Sequence, residues 1–284
     1  PSYHINLNRQ CFEKTFRLKN ILLKNEYLYK KKSNIFGMLD LKGLNREKFA
    51  KKINLFRYEY KNKDYDFKNY INGKKVALVG PAQCDLHLGS EIDTFDIVIR
   101  PNFKENSNEP FSIYGSKTNV AYYNSYRVAE KKEDIIKIHK KLDWMVFKST
   151  NDIKKLGLVD HNNMFRVTKD PIDNFLFEDP MLPQRIIYDI AAFKPSYFKL
   201  FHFDLYNSKN YSDSYKNWHL DKQNISNSLR SHGPMSCFIF MKIFHKLNFF
   251  STDEETEKVL NLNEIQYARN LDKNYGGLKY EPEI

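Results

Sequence analysis

The chain has 284 residues, 41% of them hydrophobic, which suffices for a sizeable core in one large domain or in one domain with an extension. Its formal net charge of +11 comes with no DNA- or RNA-binding signature, so nucleic acid is not an expected partner. No run of about 18 apolar residues and no apolar signal-peptide core occurs, and the three cysteines (Cys11, Cys84, Cys237) form no CxxC pair; this disfavours a membrane span, a disulfide framework and structural zinc, and points to a cytoplasmic, reducing setting.

The basic character is concentrated at the start of the chain. Residues 1–75 hold 19 Lys/Arg against 7 Asp/Glu, whereas residues 76–284 hold 27 against 28. Phe12, Phe16, Leu18, Ile21 and Leu22 recur among lysines at helical spacing, and residues 43–72 repeat the pattern with Phe49, Ile53, Phe56, Tyr58 and Tyr60. Residues 1–74 are therefore read as a basic helical extension that ends at the Asn72-Gly73 turn. The charge fits the bias of an Asn-, Lys-, Ile- and Tyr-rich composition. It also fits peripheral contact with an anionic membrane, where basic clusters gain roughly 1 kcal/mol per charge.

From Lys75 the pattern changes. Val76-Ala77-Leu78-Val79 is an apolar run of buried parallel-strand type, closed by Gly80-Pro81. Further strands are predicted at 95–100, 119–123, 144–147, 164–167 and 197–203, with helices at about 128–141, 182–193 and 233–248. Strands alternating with helices over 75–284 predict an α/β domain with a Rossmann-like, doubly wound, mostly parallel sheet.

Ligands of such sheets bind beyond the carboxyl ends of the strands. The first turn, Gly80-Pro81-Ala82-Gln83, makes Gly80 and Gln83 candidates, because glycine admits close backbone approach and a following helix can hold an anion. It is equally an ordinary strand-to-helix turn. Arg100-Pro101-Asn102 follows the second strand. Asn102 can pair with a base or ribose through both amide groups, and Arg100 is either a phosphate partner or a strand-end salt bridge. Asn124 occupies the same place after the third strand. After the strand at 197–203 come Tyr206 and Tyr211, whose phenols can donate to a departing phosphate without adding charge. His232 precedes the last apolar helix, where a neutral imidazole can act as a general base.

The missing patterns narrow the chemistry. GxGxxG and the P-loop are absent, against nicotinamide dinucleotides and nucleoside triphosphate hydrolysis. No DxD with apolar flanks, no HExxH and no GxSxG occurs, against metal-dependent nucleotide-sugar transfer, hydrolytic zinc and the α/β-hydrolases.

Lys75–Gly80, followed by Gly89-Ser-Glu-Ile-Asp-Thr-Phe-Asp-Ile-Val-Ile-Arg-Pro-Asn102 and then Gly115-Ser116-Lys117-Thr118, resembles the large sialylmotif of the sialyltransferases. The order Phe203-Asp204-Leu205-Tyr206, Tyr211, His232 resembles the donor site of the bacterial members. Pro81 stands where the family has Asn, the Ser-Thr-Gly of the small sialylmotif is absent near Met181-Leu182-Pro183, and Tyr211 is one residue out of register. The resemblance covers about 75–248. It implies a Rossmann-like glycosyltransferase that moves a nonulosonic acid of sialic acid or Kdo type from a CMP-sugar donor to a glycan or glycolipid acceptor, with inversion, with no cofactor and no metal. His232 would be the catalytic base; Gly80, Gln83, Arg100, Asn102, Asn124, Tyr206 and Tyr211 would hold the donor. The alternatives are a non-catalytic nucleotide- or glycan-binding or assembly protein on a decayed fold of this kind, and an enzyme using a nucleoside-diphosphate sugar.

Overall fold

The computed structural model describes residues 45–52, 55, 62–104, 109–157, 165–168, 180–207 and 234–275. Seven strands form one sheet: β1 Lys75–Val79, β2 Ile97–Pro101, β3 Val120–Tyr123, β4 Trp144–Phe147, β5 Phe165–Val167, β6 Tyr197–Phe201 and β7 Ser251–Thr252. Their order is β5-β4-β3-β2-β1-β6-β7 and every pairing is parallel. The chain thus winds outward from β1 through β5, then returns to β1's free side at β6. This is the doubly wound, Rossmann-like α/β architecture expected from the alternating pattern. The central strands are buried on both faces, which explains why they read as continuous apolar runs.

Helices cover both faces. On one side α1 (Arg46–Lys52), α2 (Asn62–Ile71), α8 (Leu182–Ala192), α9 (Pro234–Lys246) and α11 (Glu264–Tyr275) pack against Val76, Leu78, Ile99, Tyr122 and Val146. The other side carries α3 (Gly89–Asp93), α4 (Phe111–Tyr114), α5 (Ser125–Glu130), α6 (Lys132–Ile138) and α7 (Thr150–Leu156). A short α10, Glu254–Leu260, links β7 to α11.

Part of the basic N-terminal stretch belongs to this core. Phe49 stacks edge-on against Phe244 and Phe249, and Phe67 against Trp144 and Phe193. Asp64 of α2 pairs with the buried Arg166 of β5, which also grips Asp189 of α8 at 2.5 and 2.8 Å. The Arg166 guanidinium lies 4.7 and 4.8 Å from the ring centres of Phe67 and Phe193. Residues 1–44 lie outside the described residues.

Several boundaries differ from expectation for local reasons. The single helix expected at about 128–141 is two helices and a short 3-10 turn, because Lys131 leaves helical geometry at φ −125°. The strand expected to reach Phe203 ends at Phe201, because His202 turns to φ +60°. β7, α10 and α11 were not foreseen; Asp253, which caps α10, and the Asn263/Gln266 pair that opens α11 are the signals that mark them.

Candidate functional site

The carboxyl ends of β3, β2, β1 and β6 lie side by side, and β1 and β6 flank the reversal of strand order. That reversal is where open α/β sheets take ligands. The polar residues singled out above divide here into those that face this end and those consumed in building it.

At β1 the glycine is required by the protein itself. A Cβ on Gly80 would stand 2.4 Å from the His202 carbonyl oxygen. Gly80 N donates to Phe201 O at 2.7 Å and Ala82 N to His202 O at 3.1 Å, so the β1 turn is sewn to the end of β6. Tyr114 Oη donates to Ala82 O at 2.9 Å. Gln83 is exposed.

The Arg100 side chain, 8% exposed, turns into the loop ahead of β3. Its Nη2 donates to the carbonyls of Tyr114, Gly115 and Lys117, and its Nε to Thr118 Oγ1 and Lys117 O. Burial pushes its pKa down, opposed by Glu109 and Asp93. Asp93 accepts from the amides of Ser116 and Lys117 and from the Ser116 hydroxyl. Partial burial pushes the Asp93 carboxyl up, and these donors outweigh it and hold it below its usual value. Gly115, at φ +71°, leaves no room for a Cβ, which would lie 2.6 Å from Asp93 Oδ1. Asp93, Arg100 and Gly115–Thr118 therefore form one internal clamp.

Asn102 and Asn124 are brought together. Asn102, at φ +48°, is held by its amide to Tyr122 O, and its Oδ1 accepts from Asn124 N at 3.1 Å. Asn124 Oδ1 caps α5 by accepting from Arg127 N at 2.7 Å. The side-chain amide nitrogens of both residues have no partner among the described residues, at the carboxyl ends of neighbouring strands.

Beyond β6 the chain is unusual. His202, Leu205 and Tyr206 all have positive φ, at 60°, 52° and 63°. His202 N donates to Asp253 Oδ2 at 2.5 Å, and its ring sits under Tyr114 at 4.9 Å between centroids. Nε2 lies 3.0 Å from Ile113 O, which assigns the ring proton to Nε2; buried Nδ1 has no hydrogen-bond partner among the described residues and stands 3.7 Å from Asp253 Oδ2. Burial lowers the imidazole pKa, more than Asp253 raises it. Tyr206 follows, half-buried, its ring edge-on to Tyr275 at 6.5 Å. Tyr211 and His232 lie outside the described residues. Inspection of the sequence missed His202, Asp253 and Thr256, which hold this end of β6; the buried pairing of Asp253 with His202 leaves no local signature.

A groove of about 740 Å³ between α9 and α10, lined by Lys242, His245, Lys246, Asn248 and Glu257, opens at the opposite end. Both helices finish there, at the amino ends of the strands. Among the described residues no helix is long and apolar enough to cross a membrane.

No family model matches the chain and no curated protein matches it. Among solved structures it is similar to a mammalian sialyltransferase in complex with Gal-beta-1-3GalNAc-ortho-nitrophenol, at 14% identity and a TM-score of 0.39, over 70% of this chain and 82% of that one.

Proposed function

We propose that this protein is a glycosyltransferase that takes a nonulosonic acid from a CMP-activated donor and passes it to a glycan hydroxyl with inversion. The observation that carries the reading is the arrangement of the Lys75–Asn102 segment. Its two ends, the Gly80–Gln83 turn and Asn102, stand at the carboxyl ends of adjacent strands beside the sheet's reversal point, with Tyr206 on the far side of β1. In this reading the amide nitrogens of Asn102 and Asn124, which have no partner among the described residues, hold cytidine and ribose. Tyr206 and Tyr211 donate to the phosphate as it leaves, and His232 takes the proton from the acceptor hydroxyl as the new glycosidic bond forms. No metal or cofactor is invoked.

Loss of transfer in His232→Ala, with CMP affinity within a few-fold of the parent, is the expected result. Full transfer in that variant removes His232 from the mechanism, and transfer from UDP- or GDP-sugars instead moves the donor class.

One observation favours a second reading. Gly80, Asp93, Arg100 and Gly115, four positions of the sialylmotif-like segment, are committed to internal contacts. A scaffold can keep such contacts after losing chemistry. CMP binding with no turnover of any CMP-sugar identifies a binding or assembly protein.

A further inference from the structure

The turn that carries Tyr206 does not hold its own shape. Left-handed backbone is unfavourable for residues with a Cβ, and persists only where the surroundings impose it. Here His202, Leu205 and Tyr206 adopt it within five residues. Inside the turn, Tyr206 N donates to Asp204 Oδ1 and Asn207 N to Asp204 O.

Among the described residues, further support comes from α10, its cap and α11. Asp253 takes the amide of His202, and Thr256 Oγ1 takes that of Phe203 at 3.0 Å. Tyr267 Oη donates to Leu205 O at 2.7 Å from a ring buried against Phe238. Asn270 Nδ2 donates to Asn207 Oδ1 at 2.7 Å and Asn274 Nδ2 to Asn207 O at 2.5 Å. Tyr275 presents its ring to the edge of Tyr206. Residues 267, 270 and 274 lie three and four positions apart along one face of α11, and Tyr275 stands beside Asn274. The helix thus contacts Leu205, Tyr206 and Asn207 in turn.

We propose that α10 and α11 are a positioning frame for the 202–207 turn, with Asn270, Asn274 and Tyr275 as positioning residues that set where Tyr206 stands at the ligand end of the sheet. The frame explains why the chain continues past β6 and β7 into two helices that add only a two-residue strand to the sheet. It also explains how non-glycine residues occupy a conformation that glycine ordinarily takes: α11 supplies the missing constraint. The consequence for binding rests on the CMP reading given above; the consequence for backbone order does not.

The test is amide hydrogen exchange and CMP calorimetry on the full chain, the parent beside Asn274→Ala, Asn270→Ala/Asn274→Ala and Tyr275→Ala. Exchange at Tyr206 and Asn207 rises at least tenfold in the double variant, while strand amides at 76–79 and 97–100 keep parental protection and so report an intact sheet. Asn274→Gln, which keeps the amide donor, stays closer to the parent than Asn274→Ala. CMP binding weakens about tenfold in the double variant with no change at the Asn102 side of the site. Parental exchange at 206–207 in every variant overturns the frame; raised exchange with parental CMP affinity overturns its role in placing Tyr206 for binding. Should the parent itself not bind CMP, the donor reading fails, and the exchange measurements alone still decide the frame.

Discussion

Gly80 closes β1 where the end of β6 comes up against it, with Gly80 N donating to Phe201 O at 2.7 Å. Glycine after a parallel strand admits a ligand's phosphate; here the close neighbour is the His202 carbonyl, one residue past β6. Gly80→Ala forces that backbone apart and should cost about 2 kcal/mol or more, in the range of overpacked interiors. Thermal unfolding measures it, since each kcal/mol moves the midpoint by about 2–4 °C at this size. Arg100 is similar. Its Nε and Nη2 donate to Thr118 Oγ1 and to the carbonyls of Tyr114, Gly115 and Lys117, which come to it only in the folded chain. Arg100→Met leaves those carbonyls buried without donors and should destabilise by several kcal/mol, about 1–3 for each acceptor left unsatisfied. A midpoint unchanged in that variant contradicts the clamp.

His202 gives a pH dependence at the same scale. Its folded pKa is lowered, chiefly by burial, so the unfolded chain takes up a proton first as pH falls. The contribution is fully present above about 6.5 and is lost progressively below it. The midpoint should therefore fall between pH 7 and 5, with a shallower slope in His202→Gln. Equal slopes in the two proteins contradict this account.

At the scale of elements, the strands were legible because burial on both faces leaves an unbroken apolar run, as in Val76–Val79 and Trp144–Phe147. The closing elements were not. β7 has two residues, too few for any periodicity, and α11 is polar on most of its surface. The ligand-end candidates were legible as far as strand order goes. Asn102 and Asn124 both follow strands, and parallel pairing of β2 with β3 brings them into contact. Their hydrogen bond was not legible, since it depends on Asn102's left-handed backbone. The Asp64–Arg166–Asp189 group was hidden for another reason. It joins α2, β5 and α8 across 125 positions of sequence, and each residue alone resembles a surface charge. Arg166→Met strands two carboxylates in the core and should cost about 3–5 kcal/mol by denaturant unfolding. A loss below 1 kcal/mol means that the group is dispensable.

At the scale of the molecule, the uneven charge matters most. The sheet domain is close to neutral after residue 75, and the positive excess sits before it. Phe49, Phe67 and Asp64 bind the later part of that segment into the core, and residues 1–44, which lie outside the described residues, hold 9 Lys/Arg against 3 Asp/Glu. We propose peripheral contact with an anionic membrane face. Vesicles containing phosphatidylserine should then retain the protein at low salt and release it near 1 M, where the screening length falls to about 3 Å. Absence of binding at low salt rules the contact out.

The proposed function turns on whether the carboxyl end of the sheet takes a CMP-linked donor. The most direct measurement is thermal stabilisation by CMP against UDP, GDP and NAD at equal concentration. A ligand at 100 times its dissociation constant adds about 2.7 kcal/mol, enough to move the midpoint by several degrees. A shift with CMP alone is the predicted result; a shift with UDP, GDP or NAD in its place, or with none of the four, contradicts it.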